Sequence, residues 1–207
     1  YLSAQKERSS NVDANDAPFV FLPDSTSIIF GIGGIGTEVS KHCKSFGMNV
    51  IGIDPRVTQA PETVDQLVKP NEYHTVIGKG DFVIVTMPHT PENEFFFNSE
   101  VFSMMKPSAY FINIGRGKTT RLKDLVSAIK SGEIAGAGLD VFDTEPLPKD
   151  HELWSLPNVI LTPHVAAKED GGGGDANERK YKVLLENARR FEKGEKLLNI
   201  VDKSLWF

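Results

Sequence analysis

From Ser27 onward, short apolar runs rich in β-branched residues alternate with longer stretches in which apolar positions recur every three to four residues. The runs SIIF, NVIGID, VDQLV, FVIVTMP, YFIN, GAGLDVF and VILTP read as strands. Between them, TEVSKHCKSFG reads as a helix ending at Gly47, YHTVIGKG as a short helix, SEVFSMM and LKDLVSAIKSGE as helices, and NERKYKVLLENARRFEKG as a long final helix. Strands that are apolar almost throughout are buried on both faces, and the intervening helices supply the cover. The pattern predicts an α/β domain with one doubly wound parallel sheet. Its ends depart from it. Residues 1–23 are polar and weakly periodic, with SSNVDAND reading as a loop, and GGGG at 171–174 reads as a flexible spacer before the last helix.

With 207 residues, 40 % of them hydrophobic, and a formal net charge of −5, the chain can bury a real core and carries no basic excess. Charges of both signs are interspersed, which argues against a nucleic-acid surface, because phosphate binding needs clustered Lys and Arg. The single cysteine, Cys43, excludes an internal disulfide framework and a thiolate metal cluster, and fits a reducing compartment. No apolar run approaches the ~20 residues of a membrane helix, and no amino-terminal signal pattern is present. These features predict a cytoplasmic protein without a membrane or nucleic-acid partner. The chain opens on Tyr1 rather than methionine, which leaves room for a removed upstream segment.

IIFGIGGIGTEVS places Gly31, Gly33 and Gly36 in the spacing G-x-G-x-x-G, after a strand and at the start of a helix. The first glycine permits a tight turn, the second a close approach of pyrophosphate to the backbone, and the third close packing of helix on strand. The amides of Gly34 and Ile35 would then face the phosphates at the positive end of the helix. The second strand ends in IGIDPR, so Asp54 stands where a carboxylate accepts both ribose hydroxyls and repels the extra phosphate of NADP. NAD is the expected cofactor. Arg56 is the dissenting residue, since a cation there can bind a 2′-phosphate if Asp54 turns away.

Three further stretches, NIGRG, GLDVFDTEPLP and LTPHVAA, join the glycine loop and TMPHTPEN in one order and spacing. With these five motifs the chain, from about Pro23 to Phe207, resembles the cofactor-binding, Rossmann-type domain of the D-isomer-specific 2-hydroxyacid dehydrogenases. The resemblance implies a connector at 1–23, an NAD-binding domain at 24–193 and a tail at 194–207. It implies hydride exchange between NAD(H) and a small 2-hydroxy or 2-oxo acid, with a catalytic trio at Arg116, Glu145 and His164. A guanidinium fork suits a carboxylate and polarises the neighbouring carbonyl. Imidazole can give and take a proton near neutral pH, and an adjacent carboxylate favours its charged form. Asp140 matches the aspartate that holds the nicotinamide carboxamide. Met87 and Pro88 would floor the adenine side, and Ile114 and Ala167 would line the nicotinamide side. His42, His74, His89 and His151 read as solvated or packing residues in no metal-site spacing, with His89 placed to touch the adenosine end.

The chain also departs from the family. A smaller lobe of roughly a hundred residues normally precedes the cofactor domain and completes the substrate cleft, and residues 1–23 cannot be that lobe. KTTR follows Gly117 where the family continues with small apolar residues and an acid. The resemblance implies a homodimer, for which NEFFFN offers apolar residues. Two other readings remain open on sequence: an NAD(H)-sensing interaction module of the corepressor type, and a structural fragment that binds nothing well.

Overall fold

The computed structural model describes residues 20–166 and 174–203. Seven strands form one parallel sheet: β1 (Thr26–Phe30), β2 (Asn49–Ile53), β3 (Gln66–Val68), β4 (Phe82–Val85), β5 (Tyr110–Asn113), β6 (Gly136–Leu139) and β7 (Val159–Leu161). Their spatial order is β3-β2-β1-β4-β5-β6-β7. The order reverses between β1 and β4, and in open α/β sheets that switch point opens a crevice at the carboxyl ends of the strands.

Alternate residues of each strand feed opposite faces. Ile28 and Phe30 of β1, Ile51 and Ile53 of β2, and Val83 and Val85 of β4 join one apolar cluster. Ile29, Val50 and Ile84, their neighbours in sequence, join the other. The helices are α1 (Gly34–Ser45), α2 (Ser99–Ser103), α3 (Leu122–Ser131) and α4 (Gly174–Glu192). Phe102 of α2 and Leu122, Leu125 and Ile129 of α3 cover the first face, while Cys43 of α1 is buried in the second cluster. The expected doubly wound sheet and all seven strands are present.

Several boundaries differ from the sequence expectation. The first helix begins at Gly34 rather than Thr37, so the third glycine of the loop lies inside it. YHTVIGKG does not form one helix. It contributes to two 3-10 turns, Pro70–Thr75 and Ile77–Lys79, divided at Val76, whose φ of −124° is not helical. FVIVTMP pairs only to Val85, after which Pro88 has no N–H to give a ladder. The run NEFFFN is not a free surface. Phe97 is fully buried, and Phe96 packs edge-on to Phe97 and Tyr73. Among the described residues no helix is long and apolar enough to cross a membrane. Ala167 and residues 171–173 of the glycine run lie outside the described residues, as does most of the 1–23 connector.

Candidate functional site at the carboxyl edge of the sheet

The loop between β1 and α1 is built by its glycines in two different ways. Gly31 has φ +97°, and a Cβ there would lie 2.8 Å from the Met87 backbone nitrogen. A Cβ on Gly36 would fall 1.8 Å from the Gly31 carbonyl oxygen. These two residues let β1, α1 and the exit of β4 touch, and the Thr86 hydroxyl seals the contact by donating to the Gly31 carbonyl at 2.7 Å. At Gly33 and Gly34, by contrast, an added Cβ would meet nothing within 4 Å, and Ile35 is exposed. Bare backbone therefore faces open space at the first turn of a twelve-residue helix, where unsatisfied N–H groups favour an anion.

Asp54, just past the end of β2, is buried, and both carboxylate oxygens serve backbone amides. Oδ2 accepts from the Ile32 N–H at 2.9 Å, and Oδ1 accepts from the Arg56 and Val57 N–H groups at 2.8 and 3.0 Å. The residue thus clasps the glycine loop to the β2 exit. Beside it lies a cavity of about 440 Å³ bordered by Gly31, Asp54, Arg56, Met87, Pro88 and Glu92, among others. His89 does not border it, and its Nε2 is buried without a hydrogen-bond partner. The bare amides and the adjoining slot fit an extended ligand with a phosphate at its middle.

The second half of the site follows β5. Its last residue, Asn113, is fully buried, and its side chain organises the turn that carries Arg116. Oδ1 accepts from the Gly115 N–H at 2.9 Å, while Nδ2 faces Arg116 O, Thr119 Oγ1 and Thr120 Oγ1 at 3.2, 3.3 and 3.0 Å. Sequence reasoning missed this hub. A polar residue closing an apolar run was the only available signal. The flanking glycines have a structural cause. A Cβ on Gly115 would lie 2.6 Å from the Met87 carbonyl, and one on Gly117 would lie 1.8 Å from the Phe142 carbonyl. The turn is wedged between the exits of β4 and β6, and Arg116, exposed on it, folds back so that Nη1 donates to the Gly115 carbonyl at 2.8 Å. Ile114 is half-buried beside it, with its N–H on Val85 O.

Phe142 links this turn to the third part. Its N–H donates to Glu145 Oε1 at 2.9 Å, and Glu145 Oε2 lies 2.6 Å from His164 Nδ1. Burial opposes ionisation of Glu145, but the bonds from His164 and Phe142 outweigh it and hold the pKa below its usual value. His164 sits at φ +54°, a conformation rare for a residue with a side chain. Asp140 fixes that loop. Oδ1 accepts from Thr162 Oγ1 at 2.6 Å and from Val165 N at 2.9 Å, and Oδ2 accepts from Ala166 N at 3.0 Å. These bonds overcome the burial of Asp140 and lower its pKa. A second cavity, of about 580 Å³, opens beside the Glu145 and His164 pair. No cluster of metal-ligating side chains occurs among the described residues.

The structure therefore brings Glu145 and His164 into contact across 19 residues of sequence. It sets Arg116 on the neighbouring turn and the glycine loop at the switch point.

Residues 2–166 match the family model of the D-isomer specific 2-hydroxyacid dehydrogenase, NAD binding domain. A glyoxylate reductase of Pyrococcus furiosus is 37 % identical over 178 residues, covering 86 % of this chain and 51 % of the relative. Among solved structures, a probable 2-hydroxyacid dehydrogenase from Rhizobium etli in complex with NADP superposes with a TM-score of 0.82 at 31 % identity, covering 99 % of this chain and 62 % of the other. An NADPH-dependent glyoxylate/hydroxypyruvate reductase from Sinorhizobium meliloti, in complex with NADP and sulfate, gives 0.85 at 29 % identity, covering 99 % and 62 %. The chain spans about half the length of curated relatives such as the first of these.

Proposed function

The chain belongs to the D-isomer-specific 2-hydroxyacid dehydrogenases through their NAD-binding domain, and from that premise we propose that it serves hydride exchange between a nicotinamide dinucleotide and a small 2-oxo acid. The observation that carries the proposal is the 2.6 Å contact between His164 Nδ1 and Glu145 Oε2 at the same sheet edge as the bare glycine loop.

Each residue then has a task set by its surroundings. The open amides around Gly33, Gly34 and Ile35 would hold the pyrophosphate, with Gly31 and Gly36 shaping the turn. Met87, Pro88 and Asp54 border the slot for the adenosine end. When bound, the nicotinamide ring supplies the hydride. Arg116, exposed on its turn with Nη1 donating to the Gly115 carbonyl at 2.8 Å, offers the remaining donors of its guanidinium to the substrate carboxylate. Glu145 accepts from Nδ1 and so leaves Nε2 of His164 to deliver a proton to the carbonyl oxygen, or to remove it in the reverse direction. Asp140 keeps the His164 loop in place through its three bonds, with lone-pair capacity left on Oδ2 for a carboxamide. Ile114 would border the nicotinamide side.

The buried charge of Asp54 favours NAD over NADP, because a 2′-phosphate would be brought towards a carboxylate. Arg56, on the same border, acts in the opposite sense. The two solved relatives described above were crystallised with NADP, so the preference rests on these two residues of this chain. A homodimer and a cytoplasmic location complete the reading, supported by the family resemblance.

The test is a titration with NADH followed by single-turnover reduction of glyoxylate. NADH should bind with one site per chain. His164→Gln should keep that binding and lower the reduction rate by about 10²- to 10⁴-fold, the scale of a lost general acid. Failure to bind NADH, or an unchanged rate in the variant, would sink the assignment.

A further inference from the structure

The slot beside the glycine loop has one polar group that the roles above leave unused. Its walls are apolar and several are flat: Phe30, Pro55, Pro70, Met87, Pro88 and Phe96. Most of its polar side chains are committed within the protein. Asp54 gives both oxygens to backbone amides. Asn93 spends its amide within its own turn, Nδ2 donating to Pro88 O at 2.9 Å and Oδ1 accepting from Thr90 N at 2.8 Å. Thr90 caps that turn by accepting from the Asn93 N–H. Arg56 carries donors only.

Glu92 differs. It is exposed on the turn Pro91–Asn93 at the border of the slot. A hydrogen bond with the Thr90 side chain holds its pKa below the usual range, so the acid is firmly ionised at neutral pH. It takes part in none of the ion pairs among the described residues. A carboxylate accepts hydrogen bonds and gives none. Placed at the mouth of an apolar slot, it suits a planar heteroaromatic ring that carries an amino group on its edge.

This step rests on the dinucleotide reading. Adenine has one exocyclic amino group, and its neighbouring ring nitrogens accept rather than donate. We propose that Glu92 reads the 6-amino group of the cofactor's adenine and thereby selects adenine over 6-oxo purines. A 6-oxo purine would oppose its carbonyl oxygen to the carboxylate and carry its donor on the neighbouring N1 instead, and a site built for a donor at the 6-position binds such an analogue less well.

The experiment compares NADH with reduced nicotinamide hypoxanthine dinucleotide by calorimetric titration of the wild-type chain, Glu92→Ala and Glu92→Gln. The wild type should bind NADH about five- to tenfold more tightly, the range that one net hydrogen bond supplies. Glu92→Ala should weaken NADH, leave the hypoxanthine analogue no weaker and bring the ratio to about one. Glu92→Gln, which keeps a neutral acceptor and gains a donor, should fall between them. Equal wild-type affinities, or a ratio that Glu92→Ala does not move, would overturn the proposal. NADH binding in the same titration reports separately on the dinucleotide reading. If NADH does not bind at all, both fall; if it binds without discrimination, only the role of Glu92 does.

Discussion

Gly33 and Gly36 stand three residues apart in one loop, yet the space around them assigns them different work. A methyl group on Gly33 meets nothing within 4 Å, and the residue's φ of −82° is open to alanine. Gly33→Ala should therefore leave the melting temperature within about 2 °C, since no packing mechanism is engaged, while weakening NADH at least about tenfold by crowding the amides. In Gly36→Ala the methyl would overlap the Gly31 carbonyl at 1.8 Å. Overpacking of that kind costs about 1–3 kcal/mol or more, so stability and binding should fall together. Equal melting losses in the two variants would refute the distinction. Asp140 carries a second prediction at this scale. Its three bonds lower its folded pKa. It therefore contributes stability that is present above the unfolded value of about 3.9 and is lost as pH falls through the lower folded value. Asp140→Asn should flatten the acid limb of the stability curve below about pH 4. Urea unfolding between pH 2 and 6 tests this, and parallel curves for variant and wild type would contradict it. Glu145 acts in the same direction but more weakly, because its side chain is 35 % exposed and its partner His164 is 49 % exposed.

Elements obeyed their sequence signals where burial and local preference agree. Apolar β-branched runs formed strands because the sheet covers both faces, and LKDLVSAIKSGE formed α3 because Leu122, Leu125, Val126 and Ile129 share a buried side. The helix stops at Gly132, whose φ of +76° closes the last turn and lets the Glu133 N–H reach Ala128 O at 2.9 Å. A Cβ there meets nothing. Gly132→Ala should then cost only the left-handed backbone penalty, about 1 kcal/mol. Chemical denaturation measures it, and a cost several-fold larger would mean that an unrecognised contact forms at the cap. Arg121 shows where local preference is overruled. It occupies the N-cap of α3, where it makes no side-chain cap bond, and its guanidinium lies 5.3 Å from the centre of the Phe95 ring. Phe95 itself has φ +52°. KTTR looked merely unusual in the sequence, because the partner that accommodates it lies 26 residues upstream. The same limit hid the reason for the glycines around Arg116, which press on Met87 and Phe142 far away in sequence. The Asn113 hub is local, its partners lying two to seven residues on, and its one signal was a polar residue closing an apolar run. The glycine spacing was legible because one loop contains it. The pairing of Glu145 with His164 was accessible through family resemblance and not through any spacing.

At the scale of the molecule, the position of the site sets how well this chain can work. Arg116 is exposed, and the side chains of His164 and Glu145 are 49 % and 35 % exposed, so the edge proposed to deliver the proton faces water. Proton and hydride transfer both gain from alignment and from exclusion of solvent. The cofactor side is better enclosed, with its slot and its bare amides between β1, β2 and β4. Cofactor binding and turnover should therefore separate. The chain should bind NADH while reducing glyoxylate at less than about 1 per second, below the ordinary range of about 1 to 10³ per second. The rate should also rise almost linearly with glyoxylate beyond about 1 mM, because the proposed carboxylate anchor, Arg116, stands on an exposed edge and a weakly held substrate does not saturate at ordinary KM values. Steady-state assays at saturating NADH test both statements. Saturable reduction at ordinary rates would show that the site is enclosed during turnover. Sedimentation at the assay concentration would then separate a monomer that closes over its own edge from two copies that cover each other's.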